Sequence, residues 1–510
     1  MTISASLPAL RAKTLATIDR RRVAVPPYAL DSVSVGVAHI GLGAFHRAHQ
    51  ADYFDRLLAR DPSWGICATS MNSSATAAGL HVQDGLYTLA LLDEAPDYRV
   101  IGAIRETLPP RDPAFLARLA APSTKLVTLT ITEKGYCLTP DGELDFDHPG
   151  VRRDLSAAAN GASTSASTAV GLLAHALQLR RRGGGVGIDV LSCDNLPANG
   201  DKLRAAVVSF ADRGDRDLGR WIADEVRFPN AMVDAITPAS DAALAEKVAA
   251  ETGVCDAWPV QREAFASWVI GRDVSARFPD LEAVGVVMTS DVAAHERAKL
   301  RMLNGAHSVL AYVGLACGVT TVAQAMARPD IADFVGRTMA EEIAPCLATT
   351  HGLDLAVYRK SLLQRFANPS VAHHLSQIAW DGSQKLPIRL LGTITENQAS
   401  GRPVGRLCFG VAAWMRFVVR MTRANSVLTD PLADELTRVA RKRTSDAEAD
   451  VRAFLALRQV FPEGLARSLR FQRGVEAGYR AVIDLERGAT LRDFQEYTNP
   501  ETYPEGREPT

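Results

Sequence analysis

The stretch Glu296-Arg-Ala-Lys299-Leu-Arg-Met-Leu-Asn304-Gly-Ala-His307 places three polar groups suited to proton transfer close together in the chain. On an α-helix at about 100° per residue, Lys299, Asn304 and His307 fall within an arc of roughly 140°. Leu303 and Leu310 lie in the same sector, so this face is read as buried. A polar set on a buried face is unfavourable unless it binds something. Lysine suits a base there, because desolvation lowers its pKa toward neutrality. Glu296 shares the side of Lys299 and can exchange protons between it and solvent. Asn304 can donate to an oxygen on which charge develops, and His307 can orient a hydroxyl. The alternative is a packed helix with Lys299 snorkelling to water. Gly305 is about 1 kcal/mol less favourable than Ala in mid-helix. Its presence predicts a close approach by another backbone or a ligand.

Asn195 strengthens the chemical reading. It follows the apolar run Val186–Ser192, at the carboxyl end of a strand, where α/β sheets bind ligands. With Asn304 it can form an oxyanion hole, although Asp194-Asn195 also suits a turn with a capping side chain. Thr132-Glu133-Lys134-Gly135-Tyr136 ends another strand and is placed at the same crevice. Asp234, in Phe228-Pro-Asn-Ala-Met-Val-Asp234, is a polar residue in an apolar setting, either a cap or a substrate ligand.

Gly41-Leu42-Gly43 follows one strand directly and opens a helix, the context in which a dinucleotide turn is credible. The first glycine allows a tight turn. The second lets backbone approach a pyrophosphate at the helix N-terminus. His46 stands at the third glycine position. Arg47 is expected to add a charge-assisted phosphate contact. The expected cofactor contacts are Gly41, Gly43, Phe45, Arg47, Asn72, Glu133 and Lys134. The second strand ends Met71-Asn72-Ser73-Ser74, with neither an acid for a ribose hydroxyl nor an adjacent Arg or Lys for a 2′-phosphate. NAD(H) is favoured and NADP(H) stays open.

The elements that must hold these residues alternate in the first half: strands Val35–Ile40, Trp64–Met71, Lys125–Thr132 and Val186–Ser192, with a helix over Ala44–Leu58. Leu86–Leu92 and Tyr98–Ile101 read as an added hairpin, and Val284–Thr289 is expected to close the sheet. This is an α/β pattern. Ser156–Thr168, rich in Ala, Ser and Gly, reads as a loop or weak helix end. After about Asp291 helical patterns dominate: Ala294–Val313, Thr321–Ala327, Ile331–Ala344 and Leu432–Arg441. The boundary is placed at residue 290, giving a dinucleotide-binding domain over 1–290 and a mainly helical domain over 291–510. Thr498–Thr510 is expected to fray.

Composition narrows the classes. The 510 residues are 47% hydrophobic and 23% charged, with a formal net charge of -1. That balance suits globular domains and disfavours nucleic acid. The cysteines Cys67, Cys137, Cys193, Cys255, Cys317, Cys346 and Cys408 form no CxxC pair, which points to reduced thiols in a cytoplasmic protein. Neither His46 with His49 nor His373 with His374 has metal-ligand spacing, so no metal is expected. No signal peptide or membrane span is read.

The motifs Ile40-Gly-Leu-Gly-Ala-Phe-His-Arg-Ala-His49, Thr132-Glu-Lys-Gly-Tyr-Cys137, Ser192-Cys-Asp-Asn195, Lys299-Leu-Arg-Met-Leu-Asn-Gly-Ala-His307 and Asp381-Gly-Ser-Gln-Lys385 together resemble the long-chain mannitol dehydrogenase family. The resemblance implies a Rossmann-type N-terminal domain, a mainly α-helical C-terminal domain and an active site in the cleft between them. It implies no zinc, Lys299 as general base, Asn195 and Asn304 as oxyanion donors, and His307 and Asp234 as substrate contacts. Trp64-Gly-Ile-Cys67, Thr132-Glu-Lys-Gly-Tyr-Cys137 and Gln377-Ile-Ala-Trp-Asp-Gly-Ser-Gln-Lys-Leu-Pro387 are most similar to the fructuronate reductase (D-mannonate oxidoreductase) branch. That branch implies an NAD(P)-dependent reduction of D-fructuronate to D-mannonate. A uronate needs a cation for its carboxylate, and Lys385 and Arg389 are the candidates. Ala235 replaces an arginine expected after Asp234, and Ala372 and His374 stand where that branch is richer in arginine. These departures keep two alternatives open: a polyol 2-dehydrogenase acting on mannitol or arabinitol, and a non-catalytic dinucleotide sensor. Oligomeric state is not read from the sequence.

Overall fold

Successive residues of Val35–Ile40 go to opposite apolar layers. Val37 packs with Phe54, Ile66, Leu126 and Leu191, whereas Ala38 and Ile40 pack with Cys67, Val127, Leu173 and Val190. A strand covered on both faces has no polar side and belongs in the middle of a parallel sheet. The computed structural model puts it there. The structure describes residues 7–93, 95–159, 166–348, 352–371, 373–442, 444 and 446–491.

Among the described residues the strands are β1 (Val23–Ala24), β2 (Val35–Ile40), β3 (Gly65–Thr69), β4 (Tyr87–Leu92), β5 (Asp97–Ile101), β6 (Ile104–Leu108), β7 (Leu126–Leu129), β8 (Asp189–Ser192), β9 (Ala231–Asp234), β10 (Val260–Glu263), β11 (Ser267–Gly271) and β12 (Val287–Thr289). The main sheet runs β6-β3-β2-β7-β8, all parallel, with Ile40 level with Thr69 on one side and Leu129 on the other. This is the Rossmann order, and its direction reverses at β2. The carboxyl ends of β2, β3, β7 and β8 therefore surround the glycine turn. A second sheet, β1-β5-β4-β10, contains the antiparallel β4–β5 pair expected as a hairpin.

One strand expectation is corrected. Val284–Thr289 does not close the main sheet. Glu282–Val284 is a 3₁₀ turn ended by Gly285 at φ +94, and β12 pairs with β11 in a separate sheet, β12-β11-β9. The free edge of β8 is already taken, because Arg227 exchanges backbone hydrogen bonds with Ile188 and Val190. The helix expected over Ala44–Leu58 is two helices, Ala44–Ala48 and Gln50–Leu58, broken at His49. Helix Pro149–Ala159 covers the start of the Ala- and Ser-rich segment, and Thr168 caps helix Ala169–Arg182 by accepting from the Gly171 amide. Residues 160–165, Ala372 and the Thr498–Thr510 tail lie outside the described residues.

The chain divides into two compact units, Met1–Ala293 and Ala294–Thr510. The second is helical. Its core gathers Val309, Leu310 and Val313 from helix Ala306–Ala316, Leu407, Val411 and Trp414 from helix Gly405–Arg423, and Phe471, Val475 and Val482 from helix Leu469–Glu486. The buried Arg416 is neutralised by Glu486 and contacts the Tyr479 hydroxyl.

Two of the helices expected here are interrupted. Ala294–Val313 becomes helix Val292–Ala298, a π-helical stretch Lys299–Gly305, and helix Ala306–Ala316. Ile331–Ala344 becomes helix Pro329–Arg337 followed by π-helical Thr338–Ile343. A further π stretch, Pro387–Leu391, begins at a proline that removes an intrahelical donor. Among the described residues no helix is long and apolar enough to cross a membrane.

Candidate functional site

Where β2 ends, Gly41 takes φ +113, and a Cβ there would sit 2.0 Å from the Thr130 carbonyl oxygen. Only glycine fits. The Gly41 and Leu42 amides both donate to the Thr69 carbonyl, at 2.8 and 3.0 Å, which pins the turn to the end of β3. Gly43 differs. Its backbone is extended and not left-handed, and an added Cβ would meet nothing nearer than the Gly41 oxygen at 3.8 Å. Neither conformation nor packing requires that glycine, so the space it leaves is directed outward. A dinucleotide pyrophosphate fits such a cradle beside the first-turn amides of helix Ala44–Ala48.

The third glycine position is filled from within. His46 is fully buried and stacks on His39 of β2, with ring centroids 3.3 Å apart. His39 reaches Thr128 Oγ1 at 2.8 Å and the Gly41 carbonyl at 3.0 Å. Burial pushes His39 down to about 3 and holds His46 well below the usual histidine range. Both rings are therefore neutral at pH 7. Arg47 departs from expectation. It is buried, donates to the Trp258 carbonyl at 2.5 Å and lies over the Tyr87 ring. The guanidinium turns toward the second sheet and does not face the glycine turn. Phe45 is half-buried and stacks on His49.

At the ends of β7 and β8 the organising group is Asp194, which the sequence marks only as a turn residue. It accepts from the Ile131 amide at 3.0 Å, the Thr132 amide at 2.8 Å and the Tyr136 hydroxyl at 2.6 Å. Thr132 is thereby held at φ 67, ψ 161, a region that β-branched residues avoid. Strain of that kind persists only where surrounding bonds over-determine it, and the three bonds to Asp194 do so. Glu133 and Lys134 follow, both exposed, and Asn195 is exposed beside Asp194. Asn72 is exposed beyond β3. Asp234 is buried at the end of β9, in register with Ser267.

In the second unit Lys299 opens the π stretch and Asn304 nearly closes it. In an α-helix residues five apart diverge by about 140°. Hydrogen bonding from i to i+5 widens the turn and brings such residues toward the same side. The π geometry thus aligns Lys299 with Asn304, which α geometry would separate. Both are half-buried, as is Glu296. The close approach predicted at Gly305 is the Arg389 carbonyl, 3.0 Å from where a Cβ would lie.

His307, one turn on, is buried and stacked on Phe366 at 4.2 Å, with His373 edge-on at 5.4 Å. Its Nε2 has no hydrogen-bond partner among the described residues. Burial, then His373, Arg365 and Arg389, keep it well below the usual range. Arg389 donates to Ser308 Oγ at 3.1 Å and marginally to the Asn304 carbonyl at 3.5 Å. It forms no ion pair with a carboxylate among the described residues. Burial lowers its pKa. Lys385 donates to the Ile378 carbonyl at 3.3 Å; burial and Arg389 lower its pKa, against Asp381 and Asp430. The unit thus gathers Lys299, Asn304, His307 and Arg389 on adjoining turns. Phe366, His373 and Ser308, which complete these surroundings, went unremarked in the sequence or were noted only for lacking metal spacing. Nothing local marks them.

Comparison with known proteins agrees with this architecture over nearly the whole chain. The model of the mannitol dehydrogenase Rossmann domain matches residues 35–283, and that of the mannitol dehydrogenase C-terminal domain matches residues 291–483. The D-mannonate oxidoreductase of Escherichia coli (strain K12) is 36% identical over 479 residues, 92% of this chain and 96% of that protein. A mannitol 2-dehydrogenase of Aspergillus fumigatus is 35% identical over 491 residues, 94% of this chain and 96% of that protein. The solved structure of Pseudomonas fluorescens mannitol 2-dehydrogenase, a ternary complex with NAD and D-mannitol, superposes with a TM-score of 0.77 at 34% identity, covering 96% of this chain and 99% of that one. Two domain models in order, and identities above a third across nine-tenths of the chain, leave one conclusion: this chain is an oxidoreductase of the mannitol dehydrogenase family.

Proposed function

We propose that this chain interconverts a ketone and a secondary alcohol on a sugar acid, D-fructuronate and D-mannonate, with Lys299 as the general acid and base. The observation that carries the acid substrate is Arg389. A half-buried guanidinium with no carboxylate partner among the described residues is unfavourable, and an incoming carboxylate would relieve it. It is hydrogen-bonded into the turn that carries Asn304 and Ser308. Lys385 adds a second cation nearby.

A bound nicotinamide supplies or takes up the hydride at C4. The protein's part is proton transfer and orientation. In reduction Lys299 Nζ gives a proton to the oxygen of the former ketone; in oxidation it accepts it, with Glu296 exchanging protons with solvent. Asn304 donates to that oxygen as charge develops. His307, held neutral by burial, offers its unpartnered Nε2 to a substrate hydroxyl. Asn195 and Asp234 are assigned donor and substrate-contact roles on the family resemblance alone.

A polyol 2-dehydrogenase remains the second reading, favoured by the near-equal identity to a mannitol 2-dehydrogenase. Initial rates of NADH and NADPH oxidation with fructuronate, tagaturonate, fructose and xylulose separate the two. Fructuronate turned over far faster than fructose supports the uronate reading. Fructose or xylulose turned over faster sinks it, and binding of NADH or NADPH with no turnover of any of the four by either favours a sensor.

A further inference from the structure

Beyond the ends of β3, β6 and β7 lies a cavity of about 250 Å³ within the first unit. Met71 and Asn72 line it from the end of β3, and Arg111, Lys134, His148 and Arg153 line it from elsewhere in the chain. No carboxylate is among its described lining residues. Arg111, Lys134 and Arg153 are exposed there, and their side chains make no ion pair or hydrogen bond among the described residues. Arg111 is presented from a left-handed backbone conformation, φ 63, just before Asp112 caps the next helix. The cavity adjoins the glycine turn through the chain itself. Thr69 and Thr130, whose carbonyls flank Gly41, lead directly into Met71–Asn72 and Ile131–Lys134.

In a Rossmann domain the residue at the end of this second strand faces the adenosine ribose, and an acid there selects the free 2′-hydroxyl. Here the position is Asn72, and three cations from other loops converge on the same cavity. We propose that these cations hold the 2′-phosphate of a dinucleotide, so that the chain binds 2′-phosphorylated dinucleotides more tightly than unphosphorylated ones. This rests on the dinucleotide reading of the Gly41 turn. A phosphate monoester carries about 1.5 to 2 negative charges at neutral pH. One exposed ion pair contributes little, but several donors converging on one dianion reinforce each other. The sequence hides this set, since none of the three cations lies beside Asn72 in the chain.

The test is calorimetric titration of the full-length protein, without substrate, with adenosine 2′,5′-bisphosphate, adenosine 3′,5′-bisphosphate and 5′-AMP. The expected result is at least about tenfold tighter binding of the 2′,5′ isomer than of 5′-AMP. Raised salt should shrink that gap, and the exposed-site variants Arg111→Ala and Arg153→Ala combined should shrink it while leaving 5′-AMP binding unchanged. Equal binding of the 2′,5′ isomer and 5′-AMP overturns the proposal and leaves the dinucleotide site standing. Equal binding of the two bisphosphates overturns it as well, because charge alone would then suffice. If no nucleotide binds, the reading of the Gly41 turn fails first.

Discussion

In the proposed reaction Lys299 moves a proton and Arg389 meets a charge. Lys299→Ala should lower kcat by about 10²- to 10⁴-fold, the usual contribution of a positioned acid or base. Nucleotide affinity measured by titration should not change. Near-normal turnover would remove Lys299 from the mechanism. Arg389→Ala should act differently. A lost charge-assisted contact to a carboxylate is worth about 1.5 to 3 kcal/mol, so KM for fructuronate should rise at least about tenfold. KM for a neutral ketose should stay nearly constant. If both rise together, Arg389 supports the fold of the turn and does not recognise a carboxylate. The opposite lesson comes from Arg47, a cation that looked well placed for phosphate. Its guanidinium is held by the Trp258 carbonyl. A helix of five residues that breaks at His49 turns that side chain inward.

At the scale of the element, the Lys299–Gly305 turn makes the arrangement. Gly305 admits the Arg389 carbonyl, so two π stretches lie backbone against side, and Arg301 ties the same turn to Glu396 through paired hydrogen bonds of 2.6 and 2.5 Å. Gly305→Ala sets two effects against each other. Helix propensity gains about 1 kcal/mol. Forcing a methyl group against a backbone oxygen costs about 1 to 3 kcal/mol. Overpacking wins, and thermal unfolding should show a net loss of about 1 kcal/mol. Because relief comes most easily by shifting the π turn, kcat should fall further than that loss explains. A more stable, fully active variant would show that the turn tolerates a side chain there. The strained Thr132, held by Asp194, is the corresponding device in the first unit, where one carboxylate positions the loop after β7.

For the whole molecule, buried neutral histidines couple stability to pH. His39, His46, His307, His175 and His373 all have pKa values lowered first by burial. Unfolded, each binds a proton near pH 6.5. Below that value the unfolded chain holds more protons than the folded one, so stability falls as pH falls. For His39 the window runs from about 6.5 down to about 3. Each such residue removes up to about 1.4 kcal/mol per pH unit within its window. Denaturant unfolding followed from pH 7.5 to 5 should therefore show steadily lower stability, and His46→Gln should give a shallower decline. A flat profile for the unmodified protein would mean that these rings are not buried neutral in solution.

Much of this architecture follows from local order in the chain. The alternation along Val35–Ile40 and the β-branched run after Lys125 specify strands covered on both faces, and hence a parallel sheet with helices around it. The spacing of Lys299, Asn304 and His307 on one helical stretch is local too, so it can be read without a structure. Tertiary packing decided the rest. Val284–Thr289 had the pattern of a closing strand, but Arg227 already occupies the edge of β8, and edge occupancy depends on a distant segment. The neighbour that meets Gly305, the Arg389 carbonyl, comes from a distant segment. The lack of a carboxylate partner for Arg389 among the described residues, and the cations gathered beside Asn72, are properties of surroundings. Hydrophobic periodicity reports which face of an element is buried. It carries no information on which charges, from which loops, converge on the same few ångströms, and that is set only when the chain is packed.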